Sequence, residues 1–128
     1  MITYDIDAEK KTVSGTYVFD RRAYIVDKLS NTDNDYIAAA LLPEEDIVTI
    51  KAHAVCQDGD EFNEQYGMGL VEAKIYSIKH QKIMSALNRM YSKVSKFNDA
   101  LLDVGVYHYR KGERIKKDMR EYYKLERK

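Results

Sequence analysis

The chain has 128 residues, 45% of them hydrophobic and 33% charged, a size that fits one domain and excludes a multidomain machine. Its 21 lysines and arginines balance 21 aspartates and glutamates, so no global charge marks a nucleic-acid binder or an acidic mimic. The one cysteine, Cys56, excludes an internal disulfide and fits a reducing compartment, and no run approaches the roughly 20 apolar residues that span a bilayer.

Met1-Ile2-Thr3-Tyr4-Asp5 has no basic region followed by an apolar stretch, so no signal peptide is expected. Ile2, Tyr4 and Ile6 alternate with polar residues, and after Ala8-Glu9-Lys10-Lys11 the alternation returns in Val13, Gly15, Tyr17 and Phe19. This pattern predicts an antiparallel hairpin. Asp20 is placed to cap a short helix carrying Ala23, Tyr24, Val26 and Leu29, which Asn31-Thr32-Asp33-Asn34-Asp35 ends. Tyr36–Leu42 is ambiguous, too short for a clear helix and too alanine-rich for a clear strand, and Pro43 closes it. Ile47–Cys56 predicts a strand, with Ile47, Thr49, Lys51 and His53 on one side and Val48, Ile50, Ala52 and Ala54 on the other.

Everything after Gln57-Asp58-Gly59-Asp60 predicts helix. Ala73, Tyr76, Ile83, Leu87, Met90, Val94, Phe97, Leu101 and Val104 step mostly by three or four, giving one apolar stripe. A helix of more than thirty residues outruns a compact domain of this size, so a second subunit is expected to cover part of the stripe. Gly105 is the expected break. Ile115, Met119, Tyr122 and Leu125 then predict a shorter basic C-terminal helix. The expected fold is α+β in a single domain, 1–128. Residues 1–60 are mainly β with one short helix, and 61–128 are helical and oligomer-forming.

Charge is unevenly spread. Residues 1–50 carry five basic and ten acidic side chains, 51–106 seven of each, and 107–128 nine and four, so the ends differ in sign. Most of this charge is ordinary solvated surface, where an exposed pair contributes about 0–1 kcal/mol. His53, His80 and His108 fall on separate segments without metal-binding spacing, and no cofactor is implied. A His53–Cys56 thiol–imidazole pair is disfavoured, because three residues along a strand point the side chains to opposite faces. Gly67-Met68-Gly69 lacks the Lys-Ser or Lys-Thr of a phosphate loop.

The stronger candidate is the basic tail. Arg110, Arg114 and Lys117 at i, i+4 and i+7 form one cationic stripe on a helix, able to grip two phosphates, with Tyr107, Tyr109, Tyr122 and Tyr123 nearby. Glu113, Asp118, Glu121 and Glu126 interleave with it, as they would on an ordinary solvated helix covered in i, i+4 pairs. Phe97-Asn98 pairs a ring with an amide that can read a base edge or a ribose hydroxyl, beside the plainer role of packing.

Across Ala54-Val55-Cys56-Gln57-Asp58-Gly59-Asp60-Glu61-Phe62-Asn63-Glu64-Gln65-Tyr66-Gly67-Met68-Gly69-Leu70 and on to Lys74, the chain resembles a segment of small phage-encoded proteins. In these a strand ends in Ala-x-Cys, an acidic turn with a phenylalanine follows, and a glycine-containing helix begins. Here Phe62 is expected to plug the turn onto the sheet, Asp60 and Asn63 to cap, and Gly67 to let helix and strand approach. With the hairpin, the long helix and the basic tail, the whole chain is similar to the phage Thoeris anti-defence sponge proteins. That resemblance implies a non-enzymatic protein in the cytoplasm of the infected bacterial host. It would bind the cyclic ADP-ribose signal of Thoeris immunity and hold it away from its effector without degrading it. Some members also take up cyclic oligonucleotides, and members form dimers or dimer-based hexamers. In that family two arginines four apart and an aromatic-plus-asparagine set meet the ligand at a subunit interface. Arg110 and Arg114 match the first, and Phe97 with Asn98 is the closest match to the second. Lys117 would add field, and Phe97 or a tyrosine such as Tyr109 would stack on adenine. The alternative is a phage interaction or structural protein whose basic helix binds a partner protein or nucleic acid. A small hydrolase of the same messenger is a third reading.

Overall fold

The computed structural model describes residues 1–30, 35–57 and 59–126 and divides the chain into two units, Met1–Met90 and Tyr91–Lys128. The expected α+β architecture is present. In the first unit, β1 (Thr3–Asp7), β2 (Thr12–Asp20) and β3 (Ile47–Val55) form an antiparallel sheet in the order β1-β2-β3. The hairpin turn is fastened by the Lys10 N–H donating to Asp7 Oδ1 at 3.1 Å, and Lys11 closes it with φ of 52°. Asp20 caps α1 (Arg21–Ser30) by accepting from the Ala23 N–H at 3.0 Å. The expected stop at 31–34 lies outside the described residues. The ambiguous segment resolves as a second short helix, α2 (Asp35–Leu41), because its apolar side chains pack onto other helices and the packing overrides weak local preference. The region before residue 61 therefore holds two short helices rather than one.

The helix α3 runs from Glu64 to Glu126 without interruption, so the expected break at Gly105 and the separate shorter C-terminal helix do not exist. A helical glycine costs only about 1 kcal/mol relative to alanine. The chain's one proline is Pro43, so nothing past residue 64 removes a backbone donor.

Two clusters form the core of the first unit. Val13, Ile50 and Ala54 of the sheet meet Val71 and Ile75 of α3, while Ile25 of α1, Ala38 of α2 and Leu42 just past α2 meet Ile83, Ala86 and Met90. Two glycines set the approach of helix to sheet. A Cβ on Gly67 would lie 2.7 Å from Val13 Cγ2, and one on Gly15 2.5 Å from Val71 Cγ1. Arg21, buried where β2 passes into α1, grips Asp46 through Nε at 2.5 Å and Nη2 at 2.8 Å, and its Nη1 donates to the Lys82 carbonyl at 3.0 Å. One side chain thereby joins the β2–α1 junction, the approach to β3, and α3. On the edge strand β3, Lys74 Nζ donates to the His53 carbonyl at 2.8 Å.

Candidate functional site

The turn between β3 and α3 is built much as its residues suggest. Phe62 packs against the sheet-side core, and Asn63 Oδ1 accepts from the Tyr66 N–H at 3.0 Å. The helix cap is Asn63, with Asp60 instead bonding through its backbone to Gln57; Asp58 lies outside the described residues. A cavity of about 430 Å³ opens here, with Cys56, Phe62, Tyr66 and Leu70 in its walls and Asp60 and Glu61 at its charged border. That acidic border disfavours a phosphate. The Cys56 thiol donates weakly to the Gln57 and Asp60 carbonyls at 3.7 and 3.6 Å, while His53 is exposed on the sheet's other side. The two do not form a nucleophile–base pair. Among the described residues no group of three histidine, cysteine or acidic side chains can hold a metal, and no helix is long and apolar enough to cross a membrane.

All six ligand candidates lie on α3 within the second unit, and all are exposed. At about 100° and 1.5 Å per residue, Arg110, Arg114 and Lys117 share a sector of roughly 60°, with Tyr107 at its edge about one turn before Arg110. A shallow groove along this face includes Tyr107, Arg110 and Arg114, together with Asp103 and Asp118. Among the described residues neither guanidinium makes an ion pair; the salt bridge on this stretch is Lys116 to Glu113 at 3.6 Å. Lys111 Nζ lies 5.8 Å from the Tyr107 ring centre, which leaves that ring's charge partner within its own helix. Phe97 sits on the apolar stripe about 20 Å along the axis from Arg110, and Asn98 and Tyr109 occupy the opposite flank. One chain therefore brings the cations together but does not bring the ring and amide to them.

The structure adds a cluster that sequence reasoning missed. Lys79 Nζ is surrounded by the rings of Tyr17, Tyr24, Phe19 and Tyr76 at 5.2, 5.4, 5.6 and 5.9 Å. Tyr17 and Phe19 stack two apart on β2, and Tyr17 meets Tyr76 edge-on. The i, i+2 rings on a strand and the Tyr76–Lys79 spacing on a helix were the available signal; the strand-to-helix pairing that joins them was not. Nearby, burial first and then Glu72 and Tyr76 hold the Tyr4 phenol above its ordinary value. Lys79→Gln keeps much of the side-chain length and removes the charge, so it should lower stability by about 1–2 kcal/mol in urea titrations. A change within about 0.3 kcal/mol would leave the rings as plain packing.

Arginine forks beside a flat ring suit a phosphorylated ligand with an aromatic base. Comparison with known proteins finds no matching family model, no matching curated sequence and no matching solved structure.

Proposed function

We propose that this chain sequesters a cyclic ADP-ribose messenger without converting it, and so blunts bacterial immunity on behalf of a phage. The resemblance to the Thoeris anti-defence sponge proteins suggests the messenger. The observation that carries the reading is the pair Arg110 and Arg114, exposed on one face of α3 and free of ion pairs among the described residues, with Tyr107 alongside. Guanidinium forks at this spacing suit a pyrophosphate. The same helical stretch exposes apolar side chains, so the site belongs to a homo-oligomer, a dimer or hexamer, in which a second copy supplies the ring and the amide. Asp103 and Asp118 line the same groove and oppose any phosphate, so the two arginines must act together to hold one.

Arg110→Ala combined with Arg114→Ala should lower affinity for the cyclic ADP-ribose messenger at least about 100-fold, since each charge-assisted contact contributes about 1.5–3 kcal/mol. The oligomer should persist. Titration calorimetry beside analytical ultracentrifugation checks both, and unchanged binding removes the site. Messenger released by heat should be recovered intact by mass spectrometry; recovery of a cleaved product would instead favour a hydrolase. A steep, uniform loss of binding with salt would favour nucleic acid.

A further inference from the structure

We infer that the cavity between the end of β3 and the start of α3 binds a small organic cation with a flat apolar body, an arylalkylammonium. The site lies wholly within the first unit and is independent of the arginine face in the second. Its volume of about 430 Å³ falls in the range that accepts a small ligand. Val13 and Ala54 are buried behind it, and Phe62, Tyr66 and Leu70 line it. Phe62 also packs on the sheet-side core, so that wall is in place before any ligand arrives. Tyr66 and Leu70, one turn apart on α3, remain 69% and 40% exposed and offer apolar surface to cover.

Charge selects the ligand. Between Lys51 and Lys74 the chain carries five carboxylates and no lysine or arginine. No residue lining the cavity is basic, and among the described residues neither Asp60 nor Glu61 makes an ion pair. The Gln57 and Asp60 carbonyls, which the Cys56 thiol meets only weakly at 3.7 and 3.6 Å, add further acceptors. The start of α3 would draw an anion, but the Asn63 cap and Glu64 in the first turn already answer it. A cation is what remains. An ammonium at this acidic border stands beside aromatic walls that attract it as well, while its flat body fills the apolar interior.

This chemistry fixes an order of affinities. A neutral or anionic molecule of the same shape keeps the apolar contact and loses the attraction. Each exposed ion pair contributes up to about fivefold in affinity, and a cation over an exposed ring about two- to fivefold.

The chain has no tryptophan, so an indole probe is read by its own fluorescence. Equilibrium dialysis of the full chain against tryptamine, tryptophol and indoleacetate compares a cation, a neutral molecule and an anion on one ring system. Tryptamine should be retained with a dissociation constant of about 1 mM or below, about tenfold tighter than tryptophol, with indoleacetate weakest. Asp60→Asn with Glu61→Gln, both at exposed positions, should bring tryptamine and tryptophol within about twofold of each other. Tyr66→Ala should weaken tryptamine by about fivefold. Equal retention of the three probes, or no retention of tryptamine at millimolar concentration, overturns the inference. A cation preference that survives the double variant overturns the assignment to this cavity.

Discussion

Asp46→Ala is expected to lower the stability of the first unit by about 3–5 kcal/mol, a large share of the roughly 5–15 kcal/mol that holds a typical domain folded. The Arg21 and Asp46 side chains are each 11% exposed, and removing the carboxylate strands a guanidinium where water cannot replace it. The joint replacement Arg21→Met with Asp46→Leu should recover most of the loss, because an apolar pair avoids the desolvation that the ion pair must offset. The hydrogen bond from Arg21 holds the Asp46 carboxyl below its ordinary value against the opposing effect of burial. A carboxyl whose folded pKa lies below its unfolded value of about 3.9 contributes fully above that pH, and the contribution fades as pH falls through the folded pKa. Urea titrations at pH 7, 4 and 3 should therefore show native stability falling more steeply with acid than that of the joint variant. Equal slopes would remove the pair from the acid response.

Phe97→Glu with Leu101→Glu should abolish self-association and melt the helix from Tyr91 onward. Every residue from Tyr91 to Leu125 is exposed except the half-buried Gly112, and an isolated helix without tertiary packing is marginal in water. Burying two carboxylates in the seam costs more than the apolar contact it replaces. Residues 91–126 hold 36 of the 80 helical residues among those described, so far-ultraviolet circular dichroism should lose up to nearly half its helical signal while sedimentation reports a monomer. The cores around Val71 and Ile83 lie within Met1–Met90 and should unfold at their original denaturant concentration. Unchanged mass and ellipticity would mean that the stripe is not the contact.

The elements legible in the sequence were those whose pattern is local. The alternation in Val13, Gly15, Tyr17 and Phe19 predicted β2, the Asp20 and Asn63 side chains predicted two helix starts, and Gly67 predicted the close approach that Val13 makes to it. What escaped depended on contacts between distant segments. Gly15 reads as one more apolar position in an alternating strand, and only α3 lying across it reveals why a side chain there would strike Val71. Tyr36–Leu42 was undecidable because Ala38 and Leu42 take their shape from Ile83 and Ala86. Gly105 misled because a local breaker signal was weighed without the flanking residues that outvote it. Of the candidate site, the cationic spacing was local and therefore legible, whereas Phe97 and Asn98 stand on other faces of α3, about 20 Å along the axis from Arg110.

The ammonium of Lys74 parked on the His53 carbonyl guards the free edge of β3. Sheets lengthen when an incoming chain finds an unguarded border of hydrogen-bonding groups. Here such a newcomer must first displace and rehydrate a lysine, so amyloid-like stacking at that rim is discouraged.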